Sequence, residues 1–550
     1  MLARLLLTCF GAVILLARAP NGLPPKKVDP ALANPPSTLS LEAQAEKGDA
    51  EAAHELGDRY AEGRMGLPKD QRTAATWYQK SAALGNAGAS SDLGWYFLNG
   101  LGGLPVDAPK AFACFLAAAQ QNHVYATHMV AWMYEYGRGV NQDDVQAAIW
   151  HERAARLGDI DSLAELGWLT EQGRGVPKNE EAAAQLYAMA VGNGNAQAMN
   201  ALGWFYIAGK GGLAKDYETA RRLFESASVL GWARADGNLG YLYENGLGVT
   251  KNLSTAMTRF RMSADEGDLL SQAHLGYLYE SGQLVEKDPE KAFHYYRLAA
   301  DQGDLPSIDG LIRVLATAPN IPQEDAVAAF GTLTRLCEKQ VGRARIALAL
   351  ALLRGTGASP DRVRAHDLLL DEVGVSTSSE WLIRIARILE SGRGLPEDRP
   401  FAKQLLEAVA ARGSAPARVQ LAKDLILGPA QARRQGVAML EAMGKAHDPL
   451  ALFELGLLFQ NGQGVPSSPL KAIDCFRASA GLGYAPAMFQ LALVYHLGLG
   501  VKKSFTLARE WYLKADAAHY PPARGRVRPD GSLVPPLEAA VPESAPSSSK

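Results

Sequence analysis

The chain has 550 residues, too many for one ordinary globular core, so several domains or a repeat array are expected. Its 56 Lys and Arg nearly balance 58 Asp and Glu, for a formal charge of −2, and no long single-sign run interrupts that balance. This removes the electrostatic ground for a nucleic-acid partner.

In chain order, the first element is MLAR followed by the thirteen-residue apolar run LLLTCFGAVILLA, residues 5–17. One arginine ahead of so short a run has the form of an export signal and falls short of the roughly 20 residues that span a bilayer. Residues 1–19 are therefore expected to be a signal peptide or short anchor, and the protein to be exported, periplasmic or secreted. Ala17-Arg18-Ala19 has the small-x-small form of a cleavage site, but Pro20 behind it is unfavourable. Membrane contact is expected only through this segment, where it stays uncleaved. Residues 20–48 begin with the Pro-rich stretch PNGLPPKKVDPALANPP and read as a linker and capping segment.

From residue 49 a repeat takes over. The dipeptides Leu56-Gly57, Leu93-Gly94, Val130-Ala131, Leu166-Gly167, Leu202-Gly203, Leu239-Gly240 and Leu275-Gly276 follow one another at steps of 36 or 37 residues. The pattern resumes at Ile385-Ala386, Leu421-Ala422, Leu455-Gly456 and Leu491-Ala492, with room for two weaker copies between. About thirteen units of this length form a solenoid by period alone. In residues 233–268, Ala235, Leu239 and Tyr243 form one apolar helical stripe, and Gly246 and Gly248 stop it. Asn252 then caps a second helix. The same place holds Asp70, Asp107, Asp143, Asn179, Asp216, Asp288, Asp361, Asp398, Ser468 and Ser504, and Pro289 and Pro469 follow two of these caps. Pairs such as Trp77-Tyr78 and Tyr295-Tyr296 mark the second helix.

The pattern A-x-x-x-L-G-x-x-Y-x-x-G-x-G-V, then Asp or Asn, then W-Y and A-A-x-x-G, resembles the Sel1-like repeat, a relative of the tetratricopeptide repeat. ALGWFYIAGKGG, NLGYLYENGLGV and ELGLLFQNGQGV carry it most closely. The resemblance covers residues 49–520. It implies an all-α fold, a right-handed superhelix of helix-turn-helix units, and an adaptor that binds other proteins. Bacterial members of the family often act in the periplasm or outside the cell, some in envelope polysaccharide export. The expected organisation is repeats 1–7 over 49–304, degenerate repeats 8–9 over 305–378, repeats 10–13 over 379–520 and a disordered tail over 521–550. TAPNIPQED replaces the glycine loop in repeat 8, and repeat 11 is shortened.

Chemistry is sparse. Cys114, Cys337 and Cys475 lie far apart with no CxxC, so neither a disulfide framework nor a zinc site is indicated. The histidines show no HExxH pattern. Gly209-Lys210-Gly211-Gly212 ends a helix, follows no strand and lacks a hydroxyl residue after the lysine, so it is a turn and not a phosphate loop. No nucleophile, base and orienting group come together. The expectation is a non-enzymatic protein with no cofactor and no metal.

One position falls outside this architecture. At about 100° per residue, the residue two after the repeat leucine stands about 200° from it and cannot join the core stripe. Read along the chain, that position holds Asp58, Trp95, Trp132, Trp168, Trp204, Tyr241 and Tyr277, then Arg313, Leu350, Arg387, Lys423, Leu457 and Leu493. Six consecutive repeats thus align aromatics on the face that lines the concave side of such a superhelix. Beside them, five residues after the leucine, stand Glu135, Glu171, Glu244 and Glu280. Two readings are open: a groove that holds a protein or peptide, or alternatively polysaccharide, through its aromatic rings, and rings that merely pack between neighbouring first helices.

Overall fold

The computed structural model describes residues 37–317, 321–374 and 379–534. The expected signal, most of the linker and the end of the tail lie outside the described residues. Among the described residues, regular structure is helical apart from one antiparallel bridge, Val527–Leu533. No described helix is long and apolar enough to cross a membrane. The fold is an all-α solenoid of consecutive helical hairpins, which divides into two compact bodies, Met1–Leu275 and Gly276–Lys550.

The sixth repeat shows how sequence produces a hairpin. Its first helix, Ala233–Asn245, ends on Gly246 at φ 68°, a left-handed turn that glycine adopts without a Cβ clash. Its second, Leu253–Asp265, starts behind Asn252, whose side chain accepts the Thr255 N–H at 3.0 Å. The cap positions read from the sequence are all caps. Only Ser468 among them receives no backbone N–H on its side chain.

The glycine of each Leu-Gly pair has a packing reason. A Cβ on Gly203 would come within 2.5 Å of the Phe224 ring, and one on Gly57 within 2.6 Å of Tyr78. A ring from the second helix packs against the first helix at that point, so the direction about 100° from the leucine faces the partner helix. The apolar stripe differs by one position from its expected form. Leu239 is 1% and Leu242 0% exposed, whereas Tyr243 is only half-buried, so i+3 rather than i+4 completes the core.

The divergent repeats still form hairpins of altered length. In repeats 8 and 9 the second helices are Gln323–Glu338, of 16 residues, and Arg362–Asp371, of 10. Repeat 11 pairs Ala415–Ile426 with Ala430–Lys445. At the start, helix Thr38–Glu46 buries Leu41 and Ala45 against the first repeat. At the other end the tail boundary needs correction. Residues 521–534 fold back on the last hairpin, where Val527 and Leu533 pack beside the fully buried Tyr512. A solenoid end exposes the apolar face that another repeat would cover, and this segment covers it.

Candidate functional site

In the first body, the predicted lane position leaves Trp95, Trp168, Trp204 and Tyr241 each partly exposed, with the three tryptophans packed in part against core clusters. Trp132 is the exception at 8% exposure; its ring lies 5.5 Å from that of Tyr136, inside the core cluster of repeats 2 and 3. The successive rings of Trp204 and Tyr241 stand 5.6 Å apart, tilted by 43°. The Arg174 guanidinium lies 4.8 Å from the centre of the Trp168 ring. Tyr241 also lines a cavity of about 10 Å³ with Asn238, Phe260 and His274, space for about one water.

In the second body, Tyr277 is partly exposed, and Gln283 Nε2 donates to its hydroxyl at 2.8 Å. The charged residues that follow at this position are tied to neighbouring repeats. Arg313 binds Glu280 at 2.6 and 2.8 Å, Arg387 binds Gln420, and Lys423 binds Glu454 at 2.8 Å. Leu350 is fully buried.

The four glutamates expected beside the lane are drawn elsewhere. Glu135 is 1% exposed and does not face an open groove; Oε2 lies 3.5 Å from His151 Nε2, and Oε1 3.6 Å from Arg174 Nη1. Glu171 accepts the Tyr187 hydroxyl at 3.0 Å, and Glu280 accepts that of Tyr296 at 2.6 Å. Glu244 meets His274 at 3.2 Å. The reason is angular. Position i+5 lies about 140° from the leucine, only about 40° from the glycine direction that faces the second helix, so its side chain enters that seam. Burial pushes Glu135 up to about 7 and raises Glu171 as well. Burial also acts to raise Glu280, but the Arg313 and Tyr296 hydrogen bonds prevail and hold it below the usual carboxylate range.

Two arrangements escape the sequence reading because they join residues more than thirty apart. Polar pairs link the first helices of adjacent repeats: His54 with Asp92 at 2.8 Å, and Asn238 with Asn200 at 2.5 Å. Around the first pair, donor atoms of His54, Asp58 and Asp92 lie within 4.8 Å of one another, and the Tyr78 hydroxyl donates to Asp58 at 2.8 Å. A short-range ligand pattern does not reveal this group. Its one sequence signal is Asp58, a carboxylate where six later repeats carry aromatics.

The repeats of the chain match a known family. The Sel1 repeat family model matches residues 50–86, 87–123, 124–159, 160–195, 196–231, 233–268, 269–304, 342–370, 382–414, 449–484 and 485–515, more than half of the chain. Repeat 8 and repeat 11 fall between matches, where the loops diverge. Among solved structures, a protective antigen of uropathogenic Escherichia coli with an SLR fold is 24% identical, covering 88% of this chain and 89% of that one, at TM-score 0.44. A Sel1 repeat protein from Oxalobacter formigenes is 28% identical over 45% of this chain and 96% of its own, at TM-score 0.42. A comparison with curated proteins found no match. The chain belongs to the Sel1 repeat family.

Proposed function

We propose that the protein is a non-enzymatic interaction scaffold that holds an extended segment of a protein partner along the aromatic lane of its first body. The observation that carries this reading is the recurrence of partly exposed rings at one helical register, Trp95, Trp168, Trp204 and Tyr241. Family membership supports the coarser statement, since repeats of this kind generally build protein-binding surfaces. Rings spaced one repeat apart suit a peptide whose proline or cationic side chains insert between them. A flat sugar-stacking platform fits less well, because Arg174 covers Trp168 and Trp204 leans on Tyr241. The apolar run at residues 5–17 supports export, and a site of action in or beyond the cell envelope is part of the proposal.

The test is pull-down from an envelope fraction with mass spectrometry, run beside a glycan array, for the full chain and for Trp95→Ala and Trp168→Ala. Loss of a captured protein in the folded variants supports the reading. Loss of glycan binding alone replaces it with polysaccharide recognition, and no change in either makes the rings structural.

A further inference from the structure

Beneath the lane, the seam of repeats 3 and 4 holds a run of titratable groups that the scaffold reading does not use. Glu135, on Val124–Tyr136, and His151, on Asp144–Arg156, are each 1% exposed and 3.5 Å apart. His151 Nδ1 lies 3.2 Å from Ser162 Oγ, which lies 3.0 Å from His128 Nδ1, and His128 Nδ1 lies 3.1 Å from Asp159 Oδ1. Arg174 faces Glu135 at 3.6 Å while bound to Asp144 at 2.7 and 3.0 Å. Tyr136 stands beside Glu135, and Glu165, held by Gln197 at 3.2 Å, closes the remaining side. Glu135 and His151 Nε2 face one another at 3.5 Å without forming a hydrogen bond between them. A buried carboxylate and imidazole this close are one short movement from a full hydrogen bond.

We propose that the chain Glu135–His151–Ser162–His128–Asp159 is a proton-binding site, and that taking up one proton switches the His151 tautomer and loosens Arg174 from Glu135. Without the extra proton, His151 Nε2–H points at the Glu135 carboxylate and the Ser162 hydroxyl donates to Nδ1. When the proton enters, Nδ1 gains a hydrogen, and the Nε2 hydrogen passes to a Glu135 oxygen, which then donates back to Nε2. The Ser162 hydroxyl turns to the Asp159 carboxylate and accepts from Nδ1–H. One proton enters, no other group changes its count, and Glu135 ends neutral.

The electrostatics agree with that assignment. Burial pushes His151 down to about 3, so the imidazole stays neutral in both states, and burial pushes Glu135 up to about 7, so the count changes there. Burial opposes the charge on both members of the far pair, but their mutual hydrogen bond prevails, raising His128 and holding Asp159 at about 2. Burial and the Glu135 charge both raise Glu165. Below neutrality Arg174 therefore keeps Asp144 but loses its second carboxylate. Because Arg174 lies over Trp168, the ring is easier to uncover there. This last step rests on the lane reading; the proton site does not.

The test is 15N NMR of the full chain labelled at histidine, with the His151 signal assigned by His151→Gln. Between pH 5.5 and 8.5 the wild-type Nδ1 is expected to change from unprotonated at the high end to protonated at the low end. Its midpoint is expected near 7, and Glu135→Gln is expected to abolish the change. A single His151 tautomer across this range in the wild type, or titration to the imidazolium, overturns the proposal. That wild-type result stands whether or not the variant folds. Coupling to the lane is read as the fluorescence difference between the full chain and Trp168→Phe, expected to titrate with the same midpoint. If His151 switches while this difference stays flat, the proton site stands and its link to Trp168 falls.

Discussion

Glu135 Oε2 stands 3.5 Å from His151 Nε2, at the register where repeats 4 and 7 set a glutamate on a tyrosine hydroxyl, Glu171 on Tyr187 and Glu280 on Tyr296. Repeat 3 changes three things together. The glycine becomes Ala131, the aromatic ring becomes the smaller His151, and the phenol-to-carboxylate bond becomes a contact between two titratable groups. Ala131 is fully buried, so its methyl occupies space that a six-membered ring takes in neighbouring repeats.

This substitution makes stability depend on pH in a definite direction. Folding raises Glu135 from 4.5 to about 7, so the folded state holds a proton that the unfolded chain has released. Its stabilising contribution is full below pH 4.5 and is lost as pH rises through 7. Glu135→Gln keeps the neutral form at all pH values. Urea denaturation at pH 5 and pH 8 is expected to show the variant gaining on the wild type by about 2–3 kcal/mol at the higher pH. Parallel curves at both pH values would refute the buried titration.

The Leu-Gly glycine has its own test. Gly203→Ala places a Cβ within 2.5 Å of the Phe224 ring, which is fully buried. Overpacking of this kind costs about 1–3 kcal/mol. Phe224→Leu in the same chain is expected to recover part of that loss, read as a rise in the unfolding midpoint over the single variant.

Caps should separate by their hydrogen bonds. Asn252 accepts the Thr255 N–H at 3.0 Å, whereas Ser468 occupies the same position without such a bond. Asn252→Ala is expected to cost about 1 kcal/mol and Ser468→Ala a few tenths at most. Equal losses in thermal denaturation would mean that cap geometry does not decide the matter.

Within the aromatic column, burial divides structure from recognition. Trp132 is 8% exposed, so Trp132→Ala is expected to destabilise the protein by about 3–5 kcal/mol. Trp95→Ala and Trp168→Ala, at partly exposed rings, are expected to cost less stability than Trp132→Ala while removing partner capture. Melting curves and pull-downs on the same preparations check both halves.

The terminal segment provides a deletion test. Removing residues from 521 onward uncovers Tyr512, Ala508 and Ala492, and faster proteolysis of the last hairpin is expected. Removing only residues after 534 is expected to leave that rate unchanged.

The hairpins were legible because their determinants are local. Asn252, Gly246 and the apolar spacing around Leu239 act within one turn or one loop, so period and caps can be read without knowing what lies opposite. Helical angle alone sets Trp95 and Trp168 about 200° from the repeat leucine, yet both rings still pack in part against core clusters. Glu135 was misplaced because the angle alone does not say which neighbouring helix stands at 140°. That answer needs the glycine contact with the second-helix ring, visible only when Gly203 and Phe224 are seen together.

By itself, the sequence determined the repeat, its turns, its caps and the register of the aromatic column, since hydrogen bonding and backbone sterics over a few residues suffice for each. The tertiary structure alone decided which rings remain exposed, which glutamates vanish into seams, and that residues 521–534 close the last hairpin. Those outcomes depend on packing between residues thirty or more positions apart. There, burial strips water from Glu135 and His151 and leaves them facing one another at 3.5 Å without a formed hydrogen bond.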